Sequence, residues 1–233
     1  MPDPSDLPTL DLPTAALADA VVRLRLPVRL APTGMTPLLA GAPFSGPARP
    51  VTHSGSVDVF LDAIDDAPAG SVLVIDNGGR DDEACIGDLV VLEAKLAGLA
   101  GLVVWGRHRD TAQLRQIGLP VVSRGACPLG PLRVPPAGRA MRSAVLGGVP
   151  VTADDLVVAD DDGVLFLGPE RRSEVLEVAG GIVGTESRQA ERMAAGESLR
   201  QQLDFAGYRR HQADDPGLTL RQHLVERGSA IEV

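Results

Sequence analysis

Two short apolar runs, each closed by a glycine turn, restrict what this chain can fold into more than any other feature. Residues 71–75 read SVLVI and residues 102–105 read LVVW. Both are too short and too β-branched for helices. Their unbroken apolar character predicts strands buried on both faces. The first is followed at once by Asp76-Asn77-Gly78-Gly79-Arg80 and the second by Gly106. A strand covered on both faces belongs to a layered α/β domain, and the loops at the ends of such strands are where ligand sites gather.

The intervening segments supply the layers. Residues 57–66 predict a helix, as do residues 88–97, with Asp88 as N-cap and Gly98 as the stop. Leu89, Leu92 and Leu96, with Val90 and Ala97, give that second helix an apolar face at helical spacing. Asp110 caps a third, closed by Gly118. Further short strands are expected at 49–53, 119–123, 145–151, 156–159 and 164–167, the last two joined by the turn Asp160-Asp161-Asp162-Gly163. So many short strands joined by turns favour mixed sheets over a regular doubly wound fold.

At 233 residues and 44% hydrophobic, the chain can fill one full core and a tail. Residues 1–13 read as a loose, proline-rich lead. Residues 14–168 form the α/β domain, with Thr14 capping its first helix. From 169 to 233 the composition turns helical. Pro169 suits the first helical position, Gly180-Gly181 is a candidate break, and Val175, Val178, Ile182 and Val183 make a modest apolar stripe. A last helix runs over 219–227, stopped by Gly228. Such a tail packs on a neighbouring subunit or covers its own sheet; the residues leave both open.

A net charge of −9 with only 3% aromatic residues argues against nucleic-acid binding. Cys85 and Cys127 offer neither a disulfide framework nor a zinc motif and suit a reducing cytoplasm. The N-terminus lacks the features of a signal peptide, and no apolar run approaches the ~20 residues that span a bilayer.

Candidate chemistry gathers around the second strand. The first-turn amides of a helix opening at Gly87-Asp88 can bind a carboxylate or phosphate, and Gly87 lets a ligand close to the backbone. Just past the strand, Arg109 beside Asp110 supplies an oxyanion partner and a hard metal ligand. Taken alone, these residues fit an ordinary capped helix and a solvated charge better than a site. Arg80 is a candidate to attract anions, whereas Asp82 and Glu83 read as a solvated loop. The four histidines have no metal-binding spacing. Gly125-x4-Gly130 has P-loop spacing, but Pro131-Leu132 stands where Lys-Ser/Thr is needed, and no Gly-x-Gly occurs. Lys95, the only lysine, falls on a helix body, which disfavours imine chemistry.

The order of several weak motifs resembles the RraA-like family, which includes metal-dependent 4-hydroxy-4-methyl-2-oxoglutarate aldolases. Gly87-Asp88-Leu89-Val90 and Gly106-x-x-Arg109-Asp110 match at the family's separation. So do Gly46-Pro47-Ala48, Ala63-Ile64-Asp65, the stretch from Pro68 to Asp76, that from Pro120 to Gly125, Gly147-Gly148-Val149, and Ala159 to Val164. The match covers about residues 14–170. Trp105 departs from it, because the family usually has Asp before this glycine.

The resemblance implies a layered β/β/α, swivelling-type domain with mixed sheets and a helical C-terminal tail, assembled as a homotrimer or dimer of trimers. It implies a lyase that cleaves a C–C bond of a small 2-oxo acid, by retro-aldol cleavage to pyruvate or by oxaloacetate decarboxylation. The cofactor would be Mg2+, Mn2+ or another divalent cation. Asp110 would hold it directly. Asp88 and Glu186 would hold it through water, Glu186 from a neighbouring subunit, with Glu191 as the alternative. Arg109 would act on the substrate, and Gly87, Asp88, Leu89 and Val90 would help bind it. The same resemblance allows a different class: a non-catalytic regulator that binds RNase E.

Overall fold

A computed structural model describes residues 11–133 and 143–226. The chain divides into two compact units. One takes the chain up to Ala15 and Val28–Arg172; the other takes Ala16–Pro27 and the chain from Ser173 onward.

The first unit is built on a seven-stranded mixed sheet. Its strands are β1 (Thr36–Pro37), β2 (Phe44–Thr52), β3 (Val72–Asp76), β5 (Gly101–Trp105), β7 (Val121–Ser123), β10 (Leu156–Asp160) and β11 (Gly163–Leu167). Their order is β1-β7-β5-β3-β2-β10-β11. The four central strands β2, β3, β5 and β7 are parallel, and the pairs at either side are antiparallel. Two small pairs complete it: β4 (Ala84–Ile86) with β6 (Arg107–His108), and the hairpin of β8 (Ala144–Leu146) with β9 (Val149–Val151).

The pleat of the central strands divides the core in two. Leu73, Ile75, Leu102, Val104 and Val121 pack with Phe60 and Ile64 of α2 (Asp58–Asp65), Val91 and Ala94 of α3 (Asp88–Leu96) and Leu114 of α4 (Thr111–Ile117). The alternate residues Val72, Val74, Val103 and Val122 pack with Ala144, Leu146 and Val151 of the hairpin. This is the β/β/α layering of the expected fold, and both apolar runs are buried on both faces. The first helix, α1 (Thr14–Arg23), starts where expected, with Thr14 N and Oγ1 both donating to the carboxylate of Asp160.

Three local expectations are corrected. Gly87, not Asp88, is the N-cap of α3, and Asp88 is its first helical residue. The leucine face of α3 points outward, with Leu89 77% and Leu96 76% exposed, while the small pair Val91 and Ala94 is buried. Small side chains let the helix approach the sheet closely. Glu83 is buried and ion-paired, not a solvated loop residue.

In the second unit, α5 (Arg172–Ala194) runs unbroken through Gly180-Gly181. Each glycine costs about 1 kcal/mol relative to alanine. Burial of Val175, Ala179 and Ile182 at helical spacing outweighs that cost. Pro169 precedes this helix and does not open it. Three short helices follow: α6 (Leu199–Gln202), α7 (Phe205–Asp214) and α8 (Leu220–Glu226). The expected end of the last one, Arg227 and Gly228, lies outside the described residues, as does most of the loop at 126–142.

Candidate active site

The pairing of β4 with β6 builds the site. Ile86 stands opposite His108, and Arg109 N donates to Ile86 O at 3.0 Å. Gly87-Asp88 is thereby drawn alongside Arg109-Asp110. Asp110 takes a left-handed backbone, φ 60 and ψ 38, which aspartate tolerates better than most residues. Its carboxylate does not cap the helix it precedes. Instead Oδ2 accepts from Asp88 N at 3.3 Å and lies 3.5 Å from Arg109 Nε. The negative side chain therefore stands at the positive end of α3.

Gly87 is needed for space, not for conformation. Its φ of −143 suits any residue, but a Cβ there would come within 2.5 Å of Asp110 Oδ2 and 3.2 Å of Arg109 Nε. Gly130 makes the same room for Arg109 Nη1, at 2.8 Å. The Arg109 and Asp110 side chains remain 49% and 34% exposed, so a solute can reach both. Asp88 Oδ1 accepts from Leu89 N at 2.8 Å.

Two buried polar groups brace the surrounding loops. Glu83 is held by Arg133 at 2.5 Å and by Arg80 at 3.4 Å. Burial raises its pKa, but Arg133 and Arg80 outweigh this and leave the carboxyl below its ordinary value. Arg133 also reaches Asn77 Oδ1 at 2.6 Å, which His53 Nδ1 meets at 2.8 Å, and His53 stacks on Phe60. His108 is bonded at both ring nitrogens, to Ser123 Oγ at 2.7 Å and Thr111 Oγ1 at 3.1 Å. Burial first, then the charges of Arg115 and Arg107, lower its pKa. His108 thus serves as a neutral spacer between β6, β7 and α4.

A third group stands beside Trp105. Arg107 Nε and Arg124 Nη2 reach the two oxygens of Asp81 at 2.9 and 3.3 Å. The Arg124 guanidinium lies 4.8 Å from the centroid of the Trp105 ring, and its Nη1 donates to Gly79 O. Sequence reasoning did not single out Arg107, Arg124 or Asp81 for the site. Their meeting depends on partners far apart in the chain, so the sequence carried no local signal for it.

Of the expected site residues, Gly87, Asp88, Arg109 and Asp110 come together. Leu89 and Val90 follow in the first turn of α3, Leu89 exposed and Val90 half-buried. Glu186 is an exposed residue of α5, in the second unit. Among the described residues no group of three or more His, Cys, Asp or Glu gathers to hold a metal. The oxygen donors of Asp110 and Asp88 fit a hard cation that keeps most of its waters, and fit a thiolate- or imidazole-seeking metal poorly.

The layered fold and the arginine–aspartate pair at a strand end define an RraA-like protein. The family model described as aldolase/RraA matches residues 14–166, and the chain belongs to this family. A Halalkalibacterium halodurans protein, provisionally named a 4-hydroxy-4-methyl-2-oxoglutarate aldolase, is 34% identical over 72% of this chain and 78% of its own. The crystal structure of an uncharacterized protein from Pseudomonas syringae superposes with a TM-score of 0.71 at 28% identity, over 82% of this chain and 92% of that one. Streptomyces coelicolor RraAS2, described as an unusual member of the RNase ES inhibitor RraA family, gives 0.64 at 26% identity, over 80% and 93%.

Proposed function

We propose that the chain is a divalent-metal-dependent lyase that releases pyruvate from a 2-oxo acid, by retro-aldol cleavage of a 4-hydroxy-2-oxo acid or by decarboxylation of oxaloacetate. One observation carries this reading: Arg109, Asp110 and the start of α3 converge on a position that only glycine leaves open. The 34% identical Halalkalibacterium relative, named for such an aldolase, supports it.

In this reading Asp110 holds the cation directly, and Asp88 and a neighbouring subunit's Glu186 hold its waters; Mg2+ suits such a set, with Mn2+ as a substitute. The bound cation supplies Lewis-acid polarisation of the 2-oxo group. The amides of Leu89 and Val90 take the substrate carboxylate at the positive end of α3. Arg109 fixes the 2-oxo oxygen and stabilises the negative charge that develops there as the C3–C4 bond breaks. The electron pair of that bond passes to the 2-oxo oxygen, the 4-hydroxyl proton leaves to water, and protonation at C3 gives pyruvate. Residues 14–168 would form the catalytic domain, with 1–13 as a lead and 169–233 as a helical extension. The assembly would be a homotrimer or a dimer of trimers in the cytoplasm.

The regulator reading rests on the acidic charge of the chain, which suits a basic partner, and on the likeness to RraAS2. A pure binding module has no use for Arg109 beside Asp110, which favours the enzyme.

The test is pyruvate release from oxaloacetate and from a 4-hydroxy-2-oxo acid, with Mg2+ and with chelator, in wild type and Asp110→Asn. Asparagine also tolerates the left-handed backbone, so the variant should fold while losing most Mg2+-dependent activity. Unchanged activity at limiting Mg2+ would remove Asp110 from its role. Inhibition of RNase E without any pyruvate release would establish the regulator instead.

A further inference from the structure

We propose that Glu83 is a positioning residue for Arg109: by gripping Arg133 it seats the backbone of Gly130 against the Arg109 guanidinium and so fixes where that cation stands. The effect on catalysis rests on the lyase reading above.

The Arg109 side chain is placed at two levels. At its root, Gly87 leaves room for Cγ and Nε, and Asp110 Oδ2 lies 3.5 Å from Nε. At its tip, a Cβ on Gly130 would come within 2.8 Å of Nη1 and 3.6 Å of Cζ. Contacts at the root leave the tip of a long side chain free to turn. The Gly130 backbone is a wall on one side of that tip.

Apolar burial does little to hold that wall. Leu129 and Leu132, on either side of Gly130-Pro131, are 48% and 77% exposed. Polar pins hold it instead. Ala84 N donates to Leu129 O at 2.7 Å, and Arg133 Nε and Nη2 donate to Glu83 Oε1 at 2.9 and 2.5 Å. Two consecutive residues, Glu83 and Ala84, thus grip both ends of the segment from 129 to 133. Pro131 fixes one φ within it, which reduces the slack between the pins. Glu83 is buried, so its carboxylate depends on these charged donors. Arg133 Nη2 also donates to Asn77 Oδ1, just past β3, and the Arg133 carbonyl packs where Gly55 has no side chain. The far pin is therefore tied to the central sheet.

The test uses three variants. Glu83→Gln removes the charge, and Arg133→Met breaks the same grip from its more exposed end. Gly130→Ala leaves the grip intact and pushes the guanidinium tip directly; Gly130 has no left-handed φ, so alanine strains no backbone there. The first readout is independent of turnover: labelling of arginines by phenylglyoxal, followed peptide by peptide in mass spectrometry. Arg109 should label severalfold faster in Glu83→Gln and Arg133→Met, while Arg200, exposed on α6, should not change. The second readout is pyruvate release from oxaloacetate with Mg2+. All three variants should lose about tenfold or more in kcat, with KM less affected, as a misplaced group does. Combined with Arg109→Lys, the losses should fall well short of multiplying, because the positioned guanidinium is already gone. Unchanged labelling of Arg109 in both grip variants, or losses that multiply, would overturn the proposal and leave the lyase reading in place. Faster labelling in a protein that releases no pyruvate would uphold the hold of Glu83 on Arg109 and sink the lyase reading.

Discussion

Gly87 and Asp110 show how two backbone demands of different kinds meet in one site. Asp110 occupies a left-handed backbone and sends its carboxylate to the amide of Asp88, 22 residues earlier in the chain. Gly87 has an unstrained backbone, yet any side chain there would collide with that carboxylate. Gly87→Ala is therefore a clean probe. It adds one methyl group where a ligand would sit and strains no φ. We expect a fall in kcat/KM of about tenfold or more with little change in thermal stability, since the crowded groups are exposed enough to shift. Activity within twofold of wild type would place the reacting atoms elsewhere.

At the scale of elements, α3 carries an apolar stripe on its outer side. Leu89, Leu92 and Leu96 lie one turn apart, beginning beside Asp88. A row of exposed leucines leading away from a site is a surface that a second copy can cover. Leu89→Gln with Leu96→Gln should leave the helix intact and shift the assembly toward smaller species in light scattering. An unchanged mass would separate this face from assembly. The same helix marks the limit of what the sequence made legible. Its span and start were readable to within a residue, because spacing and the glycines at each end are local signals. Its facing was not. Leucines at 89, 92 and 96 have the spacing of a core face, and only the small size of Val91 and Ala94 hinted that close approach would win. The buried runs at 72–76 and 101–105 were legible because a strand covered on both faces has no polar alternation to misread. Glu83 was not, since its charge is satisfied by Arg133, 50 residues away. Arg109 and Asp110 could be named as candidates from the chain, whereas the Asp81 bridge joins the loop after β3 to Arg107 of β6 and to Arg124 just after β7.

For the whole molecule, the reading places one catalytic centre across two chains. Asp110→Ala and Glu186→Ala should each be nearly inactive. Refolded together into mixed oligomers, they should recover about a quarter of wild-type activity, as random pairing at a cyclic interface requires. Mixed oligomers without recovery would show that the two residues do not complete one centre. Assembly in turn depends on how a single protomer forms, and there β2 matters most. Its first half pairs antiparallel with β10, Pro47 opposite Leu156, and its second half pairs parallel with β3, Ala48 opposite Val72. Within the first half, a side chain on Gly46 would strike the carbonyl of Gly70. One strand is thus shared by a short chain closure and a very long one. The short closure costs less entropy, so it leads, and the edge strands wait on it. Until residues 156–167 arrive, one edge of the growing sheet has no partner. A ribosome still making the last third of the protein therefore carries a sheet that another nascent chain can join.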